Sequence, residues 1–207
     1  VELGKYFSVR KIINASSMSV YGDLDNAADE DNDLPRPISI YGINKLSSER
    51  YLSILAPEIP VINFRMFNVY GPGQCLEDLK QGMVSIYIAM ALRDSKILIK
   101  GSLNRIRDFI YIDDVINFWL KAINLDFVDQ HNLNLGTGEA TKVSILIKNI
   151  KDIIVNPIDI EILPGTPCDQ SRIFASNKKL LDFFGEYSFL KLYDGIEKFI
   201  NYSTKDL

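Results

Sequence analysis

The sequence predicts an α/β fold with a largely parallel sheet, and two features of its 207 residues support this prediction. Short apolar runs alternate along the chain with longer segments whose apolar residues recur at helical spacing. The run "KIINAS" ends in small polar residues, and "VINFRMFNVYG" ends at a Gly-Pro-Gly turn. Both endings are typical of buried parallel strands, and the alternation is typical of βαβ units.

The individual elements follow from the same patterns. In chain order we expect a strand at 11–16, a helix at 39–55, a strand at 61–71, a helix at 82–93, strands at 96–100 and 108–112, a helix at 114–124 and a strand at 131–135. The remaining segment, 157–207, is expected to hold a strand at 159–163 and two amphipathic helices near 177–184 and 192–202.

The composition excludes several classes of partner and site. A formal net charge of -4 without a basic stripe disfavours nucleic acid and anionic membrane surfaces as partners. The apolar runs are short and interrupted by charge, so no transmembrane span is expected. Cys75 and Cys168 lie far apart and lack metal-ligand spacing, which indicates a reducing, cytoplasmic compartment and no metal site.

A tyrosine and a lysine lie four residues apart in "YGINK", and such positions share one face of a helix. An ammonium beside a phenol favours the ionised phenol, so Tyr41 with Lys45 could exchange a proton with a carbinol oxygen while a hydride moves. Ser17, at the predicted end of a strand, offers a hydroxyl to hold the substrate oxygen. The spacing alone proves little, because Tyr187 and Lys191 repeat it.

Five motifs in a fixed order give the tyrosine-lysine pair its context. They are "SSMSVYG", "SIYGINKLSSERY", "FRMFNVYGPGQ", "RIRDFIYIDDV" and "NLNLGTG". Together they resemble the extended short-chain dehydrogenase/reductase family, the nucleotide-sugar epimerases and dehydratases typified by UDP-glucose 4-epimerase. The resemblance covers essentially the whole chain. It implies the carboxyl-terminal part of a Rossmann-type parallel sheet and a small α/β substrate-binding domain.

The resemblance also implies roles for residues that match the family motifs. Ser17, Tyr41 and Lys45 match the catalytic triad, with Tyr41 as the acid/base. Lys45 would hold the nicotinamide ribose, with Tyr41 and Ser16 as further cofactor contacts, and Ser17 would bind the sugar hydroxyl or keto oxygen. The implied cofactor is NAD, and NADP stays open as an alternative.

Three more residues match positions that bind the nucleotide sugar. Asn68 and Arg107 would meet the diphosphate, since a planar guanidinium suits phosphate oxygens. Asp169 resembles an aspartate that binds the nucleotide ribose. The alternatives are a turn-forming asparagine at Asn68, a surface salt bridge between Arg107 and Asp108 or a neighbour, and an ordinary loop aspartate. His131 is expected to have a structural or solvent role.

Departures from the family pattern indicate which of the family's reactions to expect. The dehydratase branch carries an Asp-Glu pair after the triad hydroxyl, where this chain has Met18 and Ser19. Neither can serve as the acid and base that eliminate water, so the pattern favours epimerisation. Lys100 replaces an aromatic residue that often meets the base, and Leu163 replaces an expected arginine. These changes leave the nucleotide and the sugar open.

The glycine-rich dinucleotide fingerprint of the family is not found in the 207 residues. The chain thus reads as the carboxyl-terminal two-thirds of the enzyme, expected to be inactive alone. Segments 1–70 and about 105–140 would be the rest of the NAD-binding domain. Segments about 71–104 and 141–207 would form the substrate-binding domain.

The sequence therefore predicts part of an NAD-dependent nucleotide-sugar epimerase that acts at C4. UDP-sugars are the favoured substrates, and the full-length enzyme is expected to be a homodimer. A keto-sugar reductase or dehydratase of the same family is one alternative. A catalytically inactive fragment that only binds a nucleotide sugar or a partner chain is another.

Overall fold

A computed structural model describes residues 9–55, 58–77, 82–127, 129–166 and 170–204. Within these ranges the strands are Ile12–Ser17 (β1), Val61–Met66 (β2), Asn68–Tyr70 (β3), Lys96–Lys100 (β4), Ile106–Arg107 (β5), Phe109–Tyr111 (β6), Gln130–Leu135 (β7), Thr141–Lys142 (β8) and Asp159–Leu163 (β9). The helices are Ile40–Leu55 (α1), Met83–Asp94 (α2), Ile112–Asn124 (α3), Val143–Ile153 (α4), Lys178–Phe184 (α5) and Leu192–Ser203 (α6). A short 3-10 turn spans Met18–Val20.

The main sheet consists of three parallel strands in the order β1-β2-β7. Successive side chains of a strand point to opposite faces, so each strand contributes one row to either side. Apolar residues of one face, including Phe64 and Leu133, pack against Phe118 of α3 and Leu180 of α5. This side of the sheet is an ordinary apolar core.

The other face of the same sheet, which α1 covers, is polar. Asn14 donates from its side chain to Asn63 at 2.8 Å, and Asn63 donates to Asn132 at 2.9 Å. Two residues further toward the carboxyl ends of the strands, on the same face, Arg65 is the register partner of both Ser16 and the asparagine at position 134. Helix α1 therefore meets hydrogen-bonding groups rather than an apolar surface.

The remaining strands form three small pairs. Strands β3 and β6 are parallel, as are β4 and β9, whereas β5 and β8 are antiparallel. A large apolar cluster joins α2, α4 and α6 to β4, with Ile99, Leu146 and Phe199 almost fully buried. The predicted α/β class with parallel strands is confirmed. The division into two domains stays a prediction.

One local prediction is wrong, and one helix was missed. The run "VINFRMFNVYG" forms two strands that break at Phe67, because the pairing partner changes there. The Phe67 amide still donates to Leu135 of β7 at 3.1 Å, whereas the Asn68 amide donates to Asp108, next to β6, at 3.0 Å. Helix α4 was not predicted, although Val143, its first residue, lies in the apolar core.

Candidate active site

The carboxyl end of β1 runs directly into the 3-10 turn, and Ser17 joins the two. The Ser17 hydroxyl accepts a hydrogen bond from the Ser19 amide at 3.2 Å and also lies 3.2 Å from the Ser19 hydroxyl. A side-chain acceptor at this position satisfies an amide that the turn leaves open. Two adjacent hydroxyls therefore stand at the end of a parallel strand, which is where α/β sheets bind ligands.

Tyr41 and Lys45 lie on the same face of α1, as the sequence predicted. The Lys45 ammonium is 5.5 Å from the centre of the Tyr41 ring and donates to the Ala15 carbonyl oxygen in β1 at 2.8 Å. Tyr41 itself is 55% exposed. The pair is thus fixed to β1 through its lysine, while the tyrosine remains accessible to a ligand.

Gly42 permits helix α1 to approach the turn closely. A Cβ atom at this position would lie 2.3 Å from the carbonyl oxygen of Ser19, a distance that Cβ atoms do not tolerate. The glycine in "YGINK" therefore has a packing role. It brings the helix that carries Tyr41 against the turn that carries the two serine hydroxyls.

Asn68 and Arg107 line one cavity of about 330 Å³ together with Met18, Ser19 and Gln170. The Asn68 side chain donates to the Asp108 carbonyl oxygen at 2.9 Å. Arg107 is 3% exposed, which contradicts a salt bridge at the surface. Its guanidinium donates to the carbonyl oxygen of Ile106 at 2.8 Å and to that of Gln170. The cavity thus has a buried cation in its wall.

Asp108 holds the loops around this cavity together, a role that the sequence did not suggest. Its carboxylate accepts hydrogen bonds from the Thr137 amide at 2.9 Å, the Thr137 hydroxyl at 2.6 Å, the Gly138 amide at 2.9 Å and the Ala175 amide at 3.1 Å. Burial raises the pKa of Asp108, against the opposing effect of these hydrogen bonds. The apolar "FIYI" that follows it in the sequence was the available signal of burial.

A second cavity of about 680 Å³ adjoins the first, and Gly82 and Met83 line both. Its walls come mainly from apolar residues of α2 and from β4 and β9. Lys100 and Leu163, two of the positions that depart from the family pattern, both contribute to it. The two cavities together offer a polar compartment beside the serines and a larger, mainly apolar compartment beyond it.

The remaining predicted residues lie as follows. Ser16 is buried, and its hydroxyl donates to the carboxylate of Glu49, while its role as a cofactor contact stays a prediction. Asp169 and Cys168 lie outside the described residues. His131 packs against Phe183, with ring centres 4.6 Å apart. Its position within the sheet is compatible with the structural role expected for it.

The second tyrosine-lysine pair has a different environment. Tyr187 and Lys191 precede α6, which begins at Leu192, and so do not share a helical face. The Tyr187 hydroxyl donates to the buried carboxylate of Asp114 at 2.7 Å. The identical spacing therefore produces a structural contact here and an accessible pair in α1.

Other kinds of site are not evident in the described part of the chain. Its histidine, cysteine and acidic residues form no group of three or more that could hold a metal ion. In the same ranges, no helix has the length and apolar character needed to cross a membrane.

Comparison with known proteins places this arrangement in a family. The model of the NAD dependent epimerase/dehydratase family matches residues 1–136. The chain is 33% identical over 193 residues to dTDP-4-dehydro-6-deoxyglucose reductase of Escherichia coli, covering 92% of this chain and 60% of that protein. The chain thus spans less than two thirds of this relative's length.

Solved structures agree with the family match. MoeE5 in complex with UDP-glucuronic acid and NAD superposes with a TM-score of 0.91 at 29% identity, covering 100% of this chain and 69% of its own. UDP-glucose 4-epimerase of Thermotoga maritima with UDP-glucose gives a TM-score of 0.91 at 29% identity, covering 99% and 67%. The chain belongs to the NAD-dependent epimerase/dehydratase family.

Proposed function

We propose that the chain carries the acid/base and substrate-binding part of an NAD-dependent nucleotide-sugar 4-epimerase. The observation that carries the proposal is the position of Tyr41 and Lys45 on one face of α1, which packs closely against the turn after Ser17. Met18 and Ser19 of this turn line the 330 Å³ cavity. Tyr41 is accessible, so its hydroxyl can take the proton of a sugar carbinol and return it. Ser17 or Ser19 would hold the same oxygen.

The residues present fit a nicotinamide cofactor next to Tyr41. An ammonium has three N–H donors, and the hydrogen bond from Lys45 to the Ala15 carbonyl oxygen leaves two for ribose hydroxyls. NAD, when bound, would accept a hydride from the carbinol carbon and return it to the opposite face. The protein's own task is to hold the sugar oxygen and to move its proton through Tyr41.

The two joined cavities suit a nucleotide sugar. Arg107 places a buried guanidinium charge in the cavity wall, which would attract phosphate oxygens, with Asn68 beside it. The larger, mainly apolar cavity beyond Gly82 and Met83 has room for a base. UDP-sugars are the favoured class, supported by the UDP-sugar complexes of MoeE5 and the Thermotoga maritima enzyme.

Met18 and Ser19 argue against dehydration. Both line the cavity, and neither carries a carboxyl group that could remove and deliver protons during loss of water. A keto-sugar reductase is the second candidate, favoured by the 33% identity to the Escherichia coli reductase. A reductase consumes one reduced cofactor per product, whereas an epimerase regenerates its cofactor in every cycle.

We propose that the complete protein forms the homodimer that the family resemblance implied, with α1 in its interface. Ile40, Ile43 and Ile54 on this helix are more than half exposed, and burying such apolar area stabilises an interface. Light scattering of the complete gene product should give a dimer mass. A monomer at micromolar concentration would contradict the proposal.

The function is tested by giving the complete gene product a panel of UDP-, GDP- and dTDP-sugars with catalytic amounts of NAD. We expect the C4 epimer to form at equilibrium with no net change in NAD. A requirement for stoichiometric NADH or NADPH would favour the reductase. Absence of any sugar turnover, with the protein folded and NAD bound, would contradict both candidates.

A further inference from the structure

A buried ion pair fixes the second half of α1 to the sheet. Arg65 donates to both carboxylate oxygens of Glu49, from Nη2 at 2.8 Å and from Nε at 3.0 Å. Glu49 is 4% exposed and Arg65 is 2% exposed. Removing two charges from water is costly, so a buried ion pair is weak evidence for a role in stability. Its geometry shows what else it does.

The pair joins α1 to all three strands of the main sheet. Ser16 of β1 donates to Glu49 as well, and Arg65 of β2 donates from Nη1 to the Tyr21 hydroxyl at 2.9 Å. Tyr21 in turn donates to Asn134 of β7 at 2.8 Å. Burial lowers the pKa of Arg65, but the hydrogen bonds to Glu49 and Tyr21 and the negative charge of Glu49 outweigh it, so the net shift is upward and the guanidinium stays charged.

Apolar packing of this helix on the core comes from Leu46, which lies against a buried cluster that includes Val20 and Phe67. The sheet face beneath α1 is polar, and Ile40, Ile43, Tyr51 and Ile54 are exposed in the single chain, so they are available to the proposed dimer interface and do not pack on the sheet.

Directional hydrogen bonds also hold α1 on the sheet: Lys45 donates to the Ala15 carbonyl oxygen of β1, and Glu49 accepts from Ser16 of β1 and Arg65 of β2. Hydrogen bonds are directional, so they fix the rotation of a helix about its axis. Apolar contacts are non-directional and fix this rotation less well.

Tyr41, Lys45 and Glu49 follow one another at intervals of four residues, so they lie on one face of α1. We propose that Glu49 is a positioning residue: its carboxylate, held by Arg65 and Ser16, sets the rotation of α1 and so aims Tyr41 and Lys45 at the carboxyl end of β1. The inference rests on the proposed function, since the aim of Tyr41 matters only if it transfers a proton.

A small displacement of Tyr41 and Lys45 by rotation of α1 is expected to lower the reaction rate strongly. Side chains extend about 5–6 Å from a helix axis, so a rotation of about 10° moves their ends by about 1 Å. A displacement of about 1 Å can cost about 10²-fold in rate when a reacting group is involved. Substrate affinity should be spared, because Arg107 and Asn68 lie on other elements.

Glu49→Asp is the variant that tests this role. It keeps the negative charge beside Arg65 but shortens the side chain by one methylene. The carboxylate can then reach the Arg65 guanidinium only if α1 moves. Glu49→Ala would instead leave a buried guanidinium without its partner and could prevent folding. Asp114→Asn is the matched control, because Asp114 is also 4% exposed and anchors a different segment through Tyr187 and the Leu190 amide.

Two measurements on the complete gene product distinguish a positioning role of Glu49 from a role in stability alone. The first is the rate at which acetic anhydride acetylates Lys45, relative to the exposed Lys148, followed by mass spectrometry. We expect Glu49→Asp to raise the Lys45 rate several-fold and Asp114→Asn to leave it unchanged. The second is steady-state kinetics, in which Glu49→Asp should lower kcat by about tenfold to 10²-fold with KM unchanged.

The outcomes separate this proposal from the proposed function. Unchanged acetylation of Lys45 in Glu49→Asp overturns the positioning role, whatever the activity. If Glu49→Asp lowers kcat no more than Asp114→Asn does, at a similar melting temperature, the positioning role of Glu49 is overturned as well. If the unmodified protein turns over no nucleotide sugar, the proposed function fails, and the acetylation rates still show whether Glu49 orients α1.

Discussion

The two tyrosine-lysine pairs of this chain have the same spacing and opposite environments. Tyr41 and Lys45 share a helical face whose lysine bonds to the end of a strand, and the tyrosine is accessible. Tyr187 and Lys191 precede a helix, and the Tyr187 hydroxyl is engaged by the carboxylate of Asp114. Spacing alone therefore says nothing about chemistry. The secondary structure and the neighbouring strand end decide it.

The acid/base properties of the second pair also differ from those a proton carrier needs. Burial raises the pKa of Tyr187 to about 12, and the hydrogen bond to Asp114 adds to the shift. A phenol in this setting holds its proton throughout the physiological range. The segment around Tyr187 is therefore a structural contact between α3 and the loop before α6.

The largest expected effect comes from replacing the lysines of the two pairs. Lys45→Met in the complete enzyme should lower kcat by about 10²-fold or more, because it removes the cation beside Tyr41 and the bond to Ala15. Lys191→Met should leave kcat unchanged. Steady-state kinetics on both variants checks the prediction, and equal losses would erase the distinction between the pairs.

Gly42→Ala tests whether close packing of α1 supports the first pair. Alanine normally stabilises a helix interior by about 1 kcal/mol relative to glycine. The clash with the Ser19 carbonyl oxygen should reverse the sign and destabilise by about 1–3 kcal/mol. Asn44→Ala, on the exposed side of the same helix, should change stability by less than about 0.5 kcal/mol. Urea unfolding of the three proteins decides the sign.

Tyr187→Phe tests the structural interpretation of the second pair. It removes the donor to Asp114, so we expect a loss of about 0.5–1.5 kcal/mol of unfolding free energy without loss of kcat. Thermal unfolding and kinetics on the same preparation measure both quantities. A fall in kcat at unchanged stability would show that this tyrosine takes part in the reaction.

The smallest expected effect is a pH dependence that involves neither pair. Burial beside Phe183 lowers the pKa of His131; Asp129 opposes the shift and Lys179 adds to it. The unfolded chain therefore binds a proton at higher pH than the folded one, near the ordinary value of about 6.5. Stability should fall as the pH drops below this value. His131→Gln should flatten that part of the profile, and an unchanged profile would contradict the assignment.

Much of the fold could be predicted because its signals are local. The strand at β1, the helix at α1 and the tyrosine-lysine face follow from periodicity within a few residues. Partners distant in sequence could not be predicted. Glu49 and Arg65 are each typical surface residues by type, and only the packing of α1 on the sheet brings them together in the interior. The break at Phe67 likewise depends on which strand lies alongside.

In the candidate active site, too, local features could be predicted from the sequence and contacts between distant segments could not. Tyr41 and Lys45 share a helical face and Ser17 stands at a strand end, as local patterns in the sequence indicated. Their catalytic roles stay predictions. The buried carboxylate of Asp108 is held by donors about 30 and 67 residues away, so sequence gave no sign of its partners. Contacts between distant segments decide such roles.

The most direct test of the account is the pair of variants Tyr41→Phe and Tyr187→Phe in the complete enzyme. With the favoured nucleotide sugar and NAD, Tyr41→Phe should lower kcat by about 10²–10⁴-fold with the melting temperature unchanged, since it removes the hydroxyl that carries the proton. Tyr187→Phe should retain kcat. Full turnover in folded Tyr41→Phe would contradict the central claim that this tyrosine transfers the proton.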